Sequence, residues 1–225
     1  MASYVCLGPR LVKRARIARE ASMELFGRYQ LLRRVALGGM AEIFLARSAS
    51  IDGFAKNLVI KRIRGEYSND MLFSSRFLDE ARISMTLNHQ NIVQVFDFGQ
   101  VEGSYYLAME HVHGCDLESV MNLDGVLGHG LDPALSLFIM REVCRGLDYA
   151  HTRVGRRGEP LDLIHRDVSP HNILVSVSGE VKLTDFGIAQ ARGQSSTTTP
   201  GVVLGKRGYM APEHATGQGV DARSD

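Results

Sequence analysis

The chain has 225 residues, 44% hydrophobic and 23% charged, with 26 basic and 25 acidic side chains and a formal net charge of +1. That composition is ordinary for a soluble globular protein with a sizeable core, and the charge gives no reason to expect nucleic acid or an anionic membrane as main partner. Cys6, Cys115 and Cys144 are too few and too scattered for a disulfide framework or a zinc site, which points to a reducing, cytoplasmic setting. No apolar run approaches the roughly 18 residues of a membrane span.

Residues 1–27 are expected to lie outside the fold, as a basic, disordered leader. Arg10, Lys13, Arg14, Arg16 and Arg19 are interleaved with Leu11, Val12 and Ile17, a pattern too broken for a signal peptide. A membrane-surface amphipathic helix is the alternative reading. Met23, as well as Met1, is a candidate start, because the first strand follows it closely. From Tyr29 to Arg64 the pattern is strand, turn, strand, turn, strand, with Gly38-Gly39 at one turn and Asp52-Gly53 at the next. Arg76 to Met85 has helical spacing, with Phe77, Leu78, Ala81, Met85 and Leu87 on one face. Two further strands, Asn91 to Phe98 and Ser104 to Glu110, complete an expected five-stranded antiparallel sheet carrying one helix.

The second part reads as helical. Leu117 to Met121 begins a helix, and a loop with Gly125, Gly128 and Gly130 follows. Asp132 and Pro133 are N-cap and first-turn residues of the next helix, which ends at His151. Its predicted buried face is Leu135, Phe138, Ile139, Val143, Leu147 and Ala150. Arg153 to Asp162 reads as a surface insertion. His111 and His113 alternate in a polar stretch and read as solvent-exposed, not as a metal pair.

Chemistry concentrates in His165 to Asn172 and in Asp185-Phe186-Gly187. Two short strands joined at Ser178-Gly179 would fold the chain back and bring Asp185 close to Asn172. That places two oxygen ligands beside Asp167, a set suited to Mg²⁺, which keeps waters and shares phosphate oxygens.

His165-Arg166-Asp167 with Asn172, Asp185-Phe186-Gly187 and Ala211-Pro212-Glu213 resemble, in order, the catalytic loop, metal loop and closing motif of protein kinases. Asp97-Phe98-Gly99 repeats one tripeptide upstream and reads as a strand-turn coincidence. The resemblance implies an α+β, two-lobe fold: a small antiparallel sheet lobe with one helix, and a mainly helical large lobe. It spans residues 28–225, divided as 28–109 for the small lobe, 110–113 for the hinge and 114–225 for a partial large lobe. It further implies ATP and Mg²⁺ (or Mn²⁺) as cofactors and protein hydroxyls as substrates. Asp167 would be the catalytic base, with Asn172 and Asp185 holding the metal. Lys61, held by Glu80, would bind the α and β phosphates. Ile43, Val59 and Leu174 would enclose adenine, with Met109 behind it, Glu110 and Val112 meeting its edges and Asp116 at the ribose. Arg166 would contact an activation-loop phosphate, with Thr198 and Thr199 as autophosphorylation candidates. A bacterial Ser/Thr kinase is the expected source, since the Gly38-Gly39-Met40 loop resembles theirs.

Departures from the family pattern are also expected to matter. By the same resemblance Ala36, Leu37, Gly38, Gly39, Met40 and Ala41 would form the phosphate-covering loop, with alanines in place of two of its glycines. Ser169 stands where such enzymes carry lysine, and Lys206 where they carry threonine; Lys206 is expected to supply the missing positive charge. The chain stops after Asp225, which resembles the start of the central helix of the large lobe, so that lobe is expected to be incomplete and apolar surface around Phe138 and Leu147 uncovered. An ATP-binding pseudokinase, or an inactive fragment lacking later helices, are the alternatives to an active enzyme.

Overall fold

The computed structural model describes residues 24–39, 41–48, 55–65, 77–78, 81–127, 130–155, 157–186 and 208–225. Six strands form the first sheet: β1 (Glu24–Phe26), β2 (Tyr29–Leu37), β3 (Ala41–Ser48), β4 (Asn57–Ile63), β5 (Val95–Val101) and β6 (Ser104–Glu110), in the order β1-β2-β3-β4-β6-β5. All its pairings are antiparallel. The expected sheet had five strands and began at 28. Glu24–Phe26 adds the sixth because Gly27, at φ 59°, turns the chain tightly enough for Phe26 to face Tyr29. Phe26 and Tyr29 then pack edge-on against Tyr106.

Asp97-Phe98-Gly99 lies inside β5 rather than at a turn. Asp97 accepts hydrogen bonds from the Tyr29 and Tyr106 hydroxyls at 2.7 and 3.0 Å and pairs with Arg28 at 2.6 Å. Its role is to tie β2, β5 and β6 together. Against the opposite side of the sheet pack the described parts of a helical segment, 77–78 and 81–84, through Phe77 and Ala81.

A second sheet, β7 (Gly114–Asp116), β8 (Ile173–Ser176) and β9 (Val181–Leu183), follows the hinge. Helix α1 (Leu117–Leu127) runs through Gly125, where a loop was expected. Helix α2 (Pro133–His151) begins as anticipated, with the Asp132 side chain accepting from Ala134 and Leu135 amides and Pro133 in the first turn. Ile139, Val143, Leu147 and Ala150 are buried, but Leu135 and Phe138 are exposed, so the apolar face is narrower than its periodicity suggested. The buried residues, Leu147 among them, pack in one cluster with Val181 and Leu183 of β9, which Gly146 approaches closely. Residues 153–162 close on themselves through a Val154–Pro160 bridge. Helix α3 (Pro212–Ala215) carries the closing motif, and Glu213 accepts a hydrogen bond from Ser224. Among the described residues, no helix is long and apolar enough to cross a membrane.

Candidate active site

The loop that starts at His165 is held from beneath by one carboxylate. Asp225 Oδ2 accepts from the His165 amide and Oδ1 from the Arg166 amide, both at 2.7 Å, and His151 Nε2 lies 2.8 Å from Oδ2. Arg166 has φ 67°, a left-handed conformation unusual for a side-chain-bearing residue, and those bonds fix it. His165 is fully buried, 4.5 Å from the Phe186 ring. Its Nε2 donates to the Thr184 carbonyl at 3.1 Å while Nδ1 accepts from the Asp167 amide at 3.3 Å, so the neutral tautomer fits both neighbours. Burial pushes its pKa below the ordinary histidine value.

A short turn of 3-10 helix, Pro170–Asn172, then aims Asn172 back at the loop. Asn172 Nδ2 donates to the Asp167 carbonyl at 2.8 Å and to Asp167 Oδ2 at 2.9 Å. The amide therefore orients the Asp167 carboxylate and presents its own Oδ1 elsewhere. The β8–β9 hairpin turns at Gly179, φ 86°, as its sequence required. It brings Thr184 N within 3.0 Å of Asn172 O, so the residue before Asp185 is bonded to Asn172. Asp185 is itself left-handed, φ 56°, and its Oδ1 lies 2.9 Å from Lys61 Nζ. Lys61 comes from β4, so a lysine of the first sheet meets the aspartate that follows β9. Hard oxygen donors on Asn172 and Asp185, with a cation alongside, fit Mg²⁺ shared with phosphate oxygens.

Between the sheets lies a cleft of about 260 Å³. Val35, Val59, Met109, Val112 and Leu174 give it apolar walls. The amide of Val112 makes no hydrogen bond among the described residues, which leaves the hinge a donor for a flat heterocycle. Ile43 is buried in the same cluster as Val59 and Leu174, behind the lining. Asp116 is also buried, with Oδ1 accepting from the Ser119 amide at 2.7 Å at the start of α1, and does not line the cleft. His111 and His113 line its rim, their ring centroids 6.2 Å apart; His113 is exposed as expected, while His111 is half-buried. Burial, followed by His113 and Arg33, keeps His111 below its ordinary pKa. Sequence reasoning missed Arg33, Val35, Val93 and Thr184; the alternation of Arg33, Val35 and Leu37 along β2 was the available signal for the first two.

In the glycine turn the Gly38 amide donates to the Ala41 carbonyl at 2.8 Å. Ala36 and Ala41 are not among the residues at positive φ, so neither alanine strains the loop. Ser169 is buried, and its Oγ has no hydrogen-bond partner among the described residues. Met40, Glu80, Thr198, Thr199 and Lys206 lie outside the described residues.

Residues 29–225 match the family model described as protein kinase domain. Over 203 residues the chain is 43% identical to the tyrosine-protein kinase MasK of Myxococcus xanthus, covering 90% of this chain and 31% of that protein. Over 199 residues it is 37% identical to the serine/threonine-protein kinase PrkC of Bacillus subtilis, covering 88% and 28%. The chain thus spans under a third of both relatives. Among solved structures, the Mycobacterium tuberculosis PknI kinase domain superposes with a TM-score of 0.65 at 30% identity, over 91% of this chain and 72% of that one.

Proposed function

The chain belongs to the protein kinase family, and from that premise we propose that it transfers the γ-phosphoryl group of ATP, with Mg²⁺ (or Mn²⁺), to serine and threonine hydroxyls of proteins. The observation that carries this reading is the joined arrangement of Asp167 oriented by Asn172 and Lys61 paired with Asp185. Phosphoryl transfer needs little covalent help; positioning and charge neutralisation do most of it. Asp167 takes the proton of the substrate hydroxyl as its oxygen bonds to the γ phosphorus, the bond to the β-phosphate bridging oxygen breaks, and ADP leaves. Asn172 and Asp185 would hold Mg²⁺, which neutralises phosphate charge. Lys61, with Glu80 as its intended partner, binds the α and β phosphates, and the cleft walls hold adenine. Lys206 supplies positive charge near Ser169. Arg166 meets a phosphate placed on Thr198 or Thr199 by autophosphorylation, a contact suited to its guanidinium.

A second reading, transfer to tyrosine, is favoured by two facts: the relative at 43% identity is named a tyrosine kinase, and Ser169 replaces the lysine usual in serine/threonine enzymes. Intact-mass measurement after incubation with Mg-ATP, followed by phosphoamino-acid analysis, tests both. Phosphoserine or phosphothreonine in the parent and no addition in Asp167→Asn is the expected result. Phosphotyrosine alone would replace the first reading with the second. No addition to either protein would exclude transfer by this chain.

A further inference from the structure

On the reverse side of the hinge from the nucleotide cleft is a second recess of about 250 Å³, nearly equal in volume and open on one side. Its chemistry differs from that of the cleft. Phe96, 43% exposed, forms an aromatic surface with Lys56 Nζ 4.6 Å from the ring centroid. Lys182, whose side chain is only 9% exposed, places Nζ 3.0 Å from Glu110 Oε1. Glu110 is fully engaged, because its Oε2 accepts from the Gln94 amide at 3.2 Å. Lys56 forms no ion pair among the described residues, so the recess carries two ammonium groups and one carboxylate.

The remaining wall adds donors. His89 stacks on Tyr149 at 4.9 Å, and its Nδ1 accepts from the Asn91 amide at 3.1 Å, which leaves the proton on Nε2. Burial keeps His89 below its ordinary pKa; Arg145 and Lys182 lower it further, while Glu142 opposes them. Lys56 and Lys182 are the charged donors that line the recess. Charged donors of this kind bind carboxylates more strongly than neutral ones do, and an exposed ring beside a cation accepts a flat partner.

We propose that this recess is a second ligand site, taking a small organic anion with a flat apolar part against Phe96 and a carboxylate between Lys56 and Lys182. Glu110 lines both this recess and the nucleotide cleft, so the two sites share one hinge residue. Binding is independent of phosphoryl transfer, and its test does not depend on the chain being an active kinase.

Phthalate is a suitable probe, titrated into the full 225-residue chain and followed by calorimetry. A Kd on the order of 1 mM or tighter is expected. Lys56→Gln and Phe96→Ala alter exposed side chains and should each weaken binding at least fivefold while leaving the unfolding midpoint within a degree or so of the parent. Saturating ATP should leave the probe bound. Absence of binding at roughly ten times that concentration, unchanged affinity in Lys56→Gln, or displacement of phthalate by ATP would each overturn the proposal.

Discussion

Two backbone amides of the catalytic loop, those of His165 and Arg166, depend on the one carboxylate of Asp225. Asp225→Ala would leave both donors without their acceptor, at a cost of about 1–3 kcal/mol for each that stays buried. Urea denaturation should show a loss of about 2–5 kcal/mol, and Asp225→Asn a smaller one, because one amide oxygen can still accept. An Asp225→Ala protein as stable as its parent would mean that the loop finds other acceptors. His165 makes a pH-dependent contribution of opposite origin. Its neutral ring is the one that fits, and burial lowers its folded-state pKa. The unfolded chain thus binds a proton more readily than the folded one. Stability from this group is complete above the unfolded pKa of about 6.5 and falls as the pH drops below it. The unfolding midpoint should decline between about pH 6.5 and 5. His165→Gln, less stable at neutral pH, should show a shallower decline; an equal slope would assign the effect to His89 and His111, whose pKa values are lowered as well.

At the scale of elements, capping and close approach decide most of what can be tested. Asp132→Ala removes two acceptor contacts, at 2.8 and 3.1 Å, from the start of α2 and should cost about 1 kcal/mol in denaturant unfolding. Gly114 is more demanding. A Cβ there would collide with the Val175 carbonyl of the neighbouring strand, so Gly114→Ala must push β7 away from β8 next to the hinge. A loss of about 1–3 kcal/mol or more is expected, with weaker nucleotide binding; an unperturbed variant would show that the strands separate freely. The α2 cap was legible because Asp-Pro before a periodic run is a local signal. The Gly114 requirement was not, since it arises from a strand more than fifty residues away. The same distinction explains the site. Asp167, Asn172 and Asp185 sit in short local motifs, and Lys61 at the end of an apolar strand. Asp116 reads the same in sequence whether it faces a ribose or caps a helix, and only the register of β7 with β8 puts it at the start of α1. Leu135 and Phe138 match the helical period of their buried neighbours, and what covers a face cannot be read from its period.

At the scale of the whole molecule, Lys61 on the first sheet and Asp185 after the second meet across the cleft, so a nucleotide between them would be held by both parts at once. A ligand that binds only the folded state stabilises it by mass action, about 2.7 kcal/mol at a hundredfold excess over Kd. For a chain of this size that corresponds to a rise in Tm of roughly 5–10 °C. Mg-ATP should therefore raise the Tm of the parent by that amount. Asp167→Asn should respond nearly as much if, as proposed, Asp167 acts on the acceptor hydroxyl rather than on the nucleotide. Lys61→Met should lose most of the shift, through the broken pair with Asp185 and the loss of the phosphate contact proposed for Lys61. The three proteins together separate binding from transfer. A full shift with Lys61→Met would place the phosphates elsewhere, and no shift in the parent would remove the nucleotide from the cleft altogether.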